Sequence, residues 1–304
     1  MQASTTGQTE WRGPLFVAGA AGLWGSLGLV FKHLMTAYPL APQNIGFFRA
    51  AVGFAAMLVL LGLGRRDLLR VSWRDFPFFA VYGFVAITVF FIVYPAAVDA
   101  TTVSVAAVLL YTAPAFVTLL AWRFFGEPLT RHKMAALFLT FTGCFLVARA
   151  FDVAELRLNA WGLLLGVASG FTYGTYSIFG KFGLRRYNSW TVMTYALGFG
   201  AIFLLPLQPV GELIALLASS RQVLALVLTM GIVHTAGAFG LYTAGLSIIP
   251  ASVASIIATL EPVVAAALAF WLMGERLSPA QLVGGAAIIA GVLVLQMGSD
   301  CGDQ

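Results

Sequence analysis

The sequence predicts an all-α integral membrane protein, with ten transmembrane helices set as two inverted five-helix repeats around a central cavity. Three observations predict it. Of 304 residues, 60% are apolar and only 10% charged, against roughly 25% charged in soluble domains. So few charges cannot coat a water-facing surface. Long apolar runs, each close to the about 20 residues that cross a bilayer core of about 30 Å, alternate with short charged loops. The second half of the chain also repeats the first at an offset of 148 to 149 residues.

Residues 1–13 are polar and lack the basic stretch of a signal peptide, so they read as a cytoplasmic N-terminal segment before a retained first helix. Helices are expected near 14–36, 42–64, 75–97, 101–124, 131–149, 160–182, 189–207, 222–247, 250–273 and 278–297. The first repeat then spans 14–149 and the second 160–297, with a disordered tail at 298–304. Asp99 and Pro250 mark the breaks inside the two tightest helix pairs. Between the seventh and eighth helices, Leu213, Ile214, Leu216 and Leu217 fit a short interfacial helix or an ordered loop.

Lys and Arg set the orientation. With the N-terminus inside, eleven of them fall in inner loops and five in outer ones, leaving aside Arg49 within a helix. That excess places both termini in the cytoplasm. The net charge of +5 is therefore a topology signal rather than a nucleic-acid footprint. Zinc spacings, nucleotide-binding glycine motifs and Walker motifs are absent, and no metal or cofactor is expected. Cys144 lies in an apolar run and Cys301 in the polar tail, so a disulfide between them is not expected.

The repeat is dense. Gly13, Gly25 and Lys32 fall on Gly162, Gly174 and Lys181, with Trp24 on Tyr173. Gly83, Phe91, Tyr94 and Ser104 fall on Gly231, Phe239, Tyr242 and Ser252. Pro114 falls on Pro262, Gly126-Glu127 on Gly274-Glu275, and Gly143 on Gly291. Five helices per repeat is an odd number, so the second copy enters the membrane from the opposite side. Inverted repeats of this kind recur in transporters, with the binding site near the midplane.

Candidate site residues follow from what is expensive in lipid. Glu261 is the acidic residue placed deep in the membrane, where a carboxylate must face the interior, be paired or be protonated. It could couple protons, bind a substrate amine, or serve structurally beside hydroxyls or Arg49. Arg49, two turns into the second helix, could snorkel outward, pair with Glu261 or hold a substrate carboxylate. His234 could titrate or simply pack. Tyr82, Tyr94, Tyr111, Tyr173, Tyr176 and Tyr242 each need a hydroxyl partner, and with Trp24 could line a cavity for an amphiphilic or aromatic solute. Pro114 and Pro262 sit mid-helix, as gating bends or static kinks. Gly162, Gly166, Gly170 and Gly174 form one flat stripe for close helix packing.

These features resemble the drug/metabolite transporter superfamily, in particular its ten-helix EamA-type exporters, over nearly the whole chain. The resemblance rests on Leu23-Trp24-Gly25-Ser26 with Lys32, Pro42 with Phe48-Arg49, and Pro114 through Gly126-Glu127-Pro128-Leu129. It continues in Glu261-Pro262 through Gly274-Glu275-Arg276-Leu277, and in Gly284 and Gly291. It implies export or exchange of small metabolites, often amino acids; the expectation is an inner-membrane transporter working by alternating access, with a monomer as one of the open oligomeric states. A binding role for Trp24, Arg49 and Glu261 is part of what it implies. The four-helix multidrug members use a glutamate in their first helix, which this first helix lacks. Sugar-phosphate members would need paired basic residues at the midplane, where Arg49 stands alone. A channel of the same fold is a second reading. An intramembrane protease is a remote one, since Gly245-Leu246-Ser247 fits a nucleophile pattern but His234 precedes the serine.

Overall fold

The computed structural model describes residues 11–38, 40–151 and 159–300. Most of the expected N-terminal segment and the last four residues of the expected tail lie outside them. Among the described residues the chain forms α1 (Arg12–Ala37), α2 (Pro42–Gly64), α3 (Trp73–Ala100), α4 (Val103–Phe125) and α5 (Arg131–Val147). It continues as α6 (Ala160–Gly183), α7 (Ser189–Leu207), a short α8 (Val210–Ser219), α9 (Arg221–Ile248), α10 (Ala251–Met273) and α11 (Pro279–Asp300).

Eight of these helices are long and apolar enough to cross a membrane, where ten were expected. Besides the short α8, the two expected crossings that fall short do so for different reasons. α5 stops at 17 residues, because the chain turns through a left-handed Arg149 with φ of 54°. α6 has 24 residues, but its glycines and hydroxyl side chains lower its hydropathy. The outside of the bundle is apolar: Trp271 is 78% exposed and Phe138 72%. Such surface is stable against lipid and not against water. α11 continues to Asp300, three residues into the segment expected to be disordered.

Irregularities recur at the offset of 148 residues. α3 and α9 each carry one π-helical turn, at Phe84–Val89 and Ile232–Gly237. α4 and α10 are each broken in two, giving Val103–Leu110 then Ala113–Phe125, and Ala251–Ala258 then Glu261–Met273. Both second halves end on a left-handed glycine, Gly126 at φ 70° and Gly274 at φ 67°. Glycine adopts that conformation without a Cβ penalty, and it closes the helix there. Pro114 and Pro262 therefore do not kink continuous helices, as their mid-helix positions implied. Each stands in the first turn of a second half-helix, where a missing N–H removes nothing.

Packing crosses between the repeats reciprocally. In α1, a Cβ on Gly13 would press on Ile248 and Ile249, and one on Gly25 would lie 2.7 Å from the Glu261 carbonyl. In α6, the equivalent Gly162 faces Ala100 and Thr101, and Gly174 faces the Ala113 carbonyl at 3.2 Å. The glycine stripe of α6 thus packs against the end of α3 and against α4. At the other end of α4, Glu127 accepts hydrogen bonds from the backbone N–H groups of Ala251 (2.7 Å) and Ser252 (3.1 Å) and from the Ser252 hydroxyl. It thereby caps the start of α10 with a negative charge, the sign that the helix dipole favours there. Lys133 approaches Glu127 at 3.7 Å. Lys181 donates to the carbonyls of Leu246 (2.8 Å) and Ile249 (2.7 Å), which caps the end of α9 with the complementary charge.

Candidate functional site

The breaks in α4 and α10 face each other across a small cavity. Trp24 of α1, Tyr111, Pro114 and Val117 of α4, and Tyr173, Tyr176 and Ser177 of α6 line one side. Phe239 and Tyr242 of α9 and Ser255, Thr259 and Glu261 of α10 complete it. The volume open to water centres is about 20 Å3. A site needs roughly 10–15 Å3 on that measure to hold one water, so no metabolite fits without movement of the walls.

The broken helices place opposite partial charges at the cavity. The first halves end at Leu110 and Ala258, and the second halves begin at Ala113 and Glu261. A helix start is electropositive and a helix end electronegative. Glu261 stands at the start of its half-helix, so its carboxylate sits at an electropositive end.

Aromatic packing builds the wall. The Trp24 ring lies 5.2 Å from Phe239, 5.4 Å from Tyr242 and 6.2 Å from Tyr173, centroid to centroid. Tyr242 shares a hydrogen bond with Ser177 (2.6 Å), and Tyr176 one with Thr243 (2.9 Å). Hydroxyls so partnered can be buried without an orphan polar group. Among the described residues the Trp24 indole N–H has no hydrogen-bond partner, although the residue is only 6% exposed. An unpaired buried donor costs about 1–3 kcal/mol, which an acceptor on an occupant of the cavity would recover.

Of the sequence candidates, the structure gathers Trp24, Tyr111, Tyr173, Tyr176, Tyr242, Glu261 and Pro114 around this cavity. Pro262 is buried directly beside Glu261. Tyr82, Tyr94, His234 and Arg49 are not in its wall. Tyr82 is fully buried and donates to the Tyr176 carbonyl at 3.1 Å, bracing the wall from behind. Tyr94 stacks on Phe90 at 5.8 Å, and Phe90 in turn packs on Tyr173. His234 sits in the π turn of α9, with Nε2 3.1 Å from the Ser26 hydroxyl.

Of the alternatives open for Arg49, the ion pair with Glu261 does not form. Arg49 donates from Nε to the Thr235 hydroxyl at 3.3 Å and lies over the Phe91 ring at 4.8 Å. Arg49 and Glu261 remain within electrostatic reach of each other. Ser247 donates to the Ala244 carbonyl, and no hydrogen bond joins it to His234, so the protease-like pattern has no dyad. Ser177, Ser255 and Thr259 were missed as cavity residues because small hydroxyl residues in apolar helices usually bond their own backbone. Thr259 and Ser255 do so even here, at 2.6 and 2.9 Å.

An apolar-surfaced helical bundle with broken helices meeting at a buried carboxylate defines a class: multi-pass membrane proteins with an interior site. The chain belongs to the EamA-like transporter family, whose model matches residues 11–149 and again residues 160–297. It is similar to an "Uncharacterized transporter" of Archaeoglobus fulgidus, 31% identical over 253 residues, covering 83% of this chain and 85% of that protein. It is also 31% identical over 278 residues to a "Probable terminal-alkyne amino-acid exporter" of Streptantibioticus cattleyicolor, covering 90% and 89%. YwfM, an "Uncharacterized transporter" of Bacillus subtilis, is 27% identical, with 92% of each chain covered. A solved crystal structure shares the fold with a TM-score of 0.77 at 18% identity, covering 96% of this chain and 99% of that one.

Proposed function

We propose that this membrane transporter exports or exchanges small neutral metabolites, amino acids foremost, by alternating access between two inverted five-helix repeats in a bacterial inner membrane. The observation that carries the reading is the cavity at the junction of α4 and α10, where Glu261 and the unpaired Trp24 donor meet aromatic walls. A cationic group on the substrate would meet the carboxylate, and an apolar side chain would meet the rings. The amino-acid assignment draws further support from the amino-acid exporter named among the similar proteins.

Ten crossings in inverted repeats account for the contacts between helix ends. Gly13 meets Ile248 and Ile249, and Glu127 binds Ala251, so the start of α1 and the end of α4 share one face. Gly162 meets Ala100 and Thr101, so the start of α6 shares the opposite face with the start of α4. α1 and α6 would then run in opposite directions, as inversion requires. Gly298 packs on His132, which brings the end of α11 to the face where α1 begins. The Lys and Arg excess makes that face cytoplasmic.

The test is counterflow of labelled amino acids into liposomes holding the purified protein. Saturable exchange supports a carrier. Flux that rises linearly with concentration would point to a channel, and no response to any amino acid would overturn the substrate class.

A further inference from the structure

Arg49 is a cation inside the bundle whose binding surface is left open. It stands seven residues beyond Pro42, about 10 Å along the helix. Its face is fixed by the Phe91 ring at 4.8 Å and its Nε by the Thr235 hydroxyl at 3.3 Å. Phe91 itself is pinned, since a Cβ on Gly46 would come within 3.0 Å of it. Thr235 belongs to the π turn of α9 and bonds back to the Met230 carbonyl at 3.0 Å. The guanidinium is therefore held in a set plane. Among the described residues, neither terminal nitrogen has a hydrogen-bond partner and no carboxylate lies at ion-pair distance. A guanidinium so placed in an apolar bundle is expensive unless something completes it.

We propose that Arg49 is the carboxylate-binding group of the substrate site, taking the anionic end of a zwitterionic amino acid whose ammonium group faces Glu261. This assignment rests on the amino-acid reading above and deepens it. A planar guanidinium fixed by its face and its Nε presents two parallel N–H donors, the fork that matches a carboxylate. Phe91 packs on Phe90, and Phe90 on Tyr173, which lines the cavity. Arg49 is thus linked to the cavity wall through successive rings without lining it, and the wall movement that admits a metabolite would bring its donors into reach. One guanidinium opposite one carboxylate suits a net-neutral zwitterion. A doubly charged phosphate would need further cations and would be repelled by Glu261.

The test compares L-phenylalanine with L-phenylalaninamide, which keeps the ammonium and the ring but has no carboxylate. Counterflow in liposomes and binding to the purified full-length chain are measured for the parent, Arg49→Gln and Arg49→Lys. The parent is expected to prefer the acid, and Arg49→Gln to lose that preference by roughly 10- to 100-fold while keeping its response to the amide, as expected for losing one charged hydrogen-bonded contact. Arg49→Lys keeps the charge without the fork and is expected to raise the half-saturation of the acid alone, which covers the case of a Gln variant that fails to fold. Equal loss for acid and amide, or no change in either, would overturn the assignment and leave Arg49 a structural cation. A parent that responds to neither phenylalanine nor any other amino acid would overturn the amino-acid reading itself, a failure visible before any substitution is made.

Discussion

Glu127 follows a left-handed glycine and reads in the sequence as part of a turn. In the folded chain it binds two neighbouring residues at the start of α10, 124 and 125 positions away in sequence. Replacing it with Ala leaves two N–H groups and the Ser252 hydroxyl without their acceptor and Lys133 without its counter-charge. Loss of about 1–3 kcal/mol of stability is expected, read as a lower thermal midpoint of the detergent-solubilised protein. Glu261 has no hydrogen-bond partner among the described residues, so Glu261→Gln is expected to leave the midpoint nearly unchanged. Counterflow by the same variant is expected to fall at least tenfold, and retention of full rate would remove the carboxylate from the transport step. At the loop between α6 and α7, Tyr187 donates to Asp75 at 2.5 Å. Desolvation, and then this bond, raise the Tyr187 pKa above the usual tyrosine value. A raised folded value means that the contribution is present below the unfolded pKa of about 10 and fades as pH climbs through the folded one. Alkaline loss of stability should therefore be smaller in Tyr187→Phe than in the parent when melting is followed from pH 8 to 11.

The elements carry the repeat more clearly than the residues do. Breaks, π turns and left-handed glycines all recur at one spacing, yet only the glycines and prolines could be read beforehand. A π turn leaves little composition signal, since Phe84–Val89 and Ile232–Gly237 share only the valine at their second positions, Val85 and Val233. The prolines were visible, but a proline fits both a kink and a helix start, and only the structure separates the two. Glu261 was legible because a carboxylate in an apolar run is costly wherever it points. Tyr82 and Tyr94 were not separable from Tyr173 and Tyr242, because which side of a helix meets the cavity depends on neighbours distant in sequence. Close packing of α1 on α10 gives a sharp test. Gly25→Val would drive new atoms into the Glu261 carbonyl and Val264 and should destabilise by about 1–3 kcal/mol. Gly28→Ala, three residues on, meets nothing within 4 Å and should leave the thermal midpoint within a degree or two of the parent.

At the scale of the whole molecule, an all-helical membrane bundle was readable from hydropathy because a bilayer imposes its thickness on every crossing, while eight helices, not the expected ten, are long and apolar enough to cross. α6 escaped the apolar criterion for the reason that makes it central: its glycines and hydroxyls let α3 and α4 approach and furnish the cavity wall. Orientation is testable at both chain ends. Single cysteines placed at Gly7 and at Asp303 in a cysteine-free background should react with an impermeant maleimide from the same side of sealed vesicles. Reaction from opposite sides would reject an even number of crossings.

The carboxylate bridge between the end of α4 and the start of α10 has a consequence for the conformational equilibrium. If opening on this side of the bundle separates these two ends, the bridge biases the resting population toward the shut form. A bridge contributing about 2 kcal/mol corresponds to a ratio of roughly thirty to one. Weakening it would make a molecule that melts earlier yet visits the form open on that side more often, so thermal resistance and turnover would move in opposite directions.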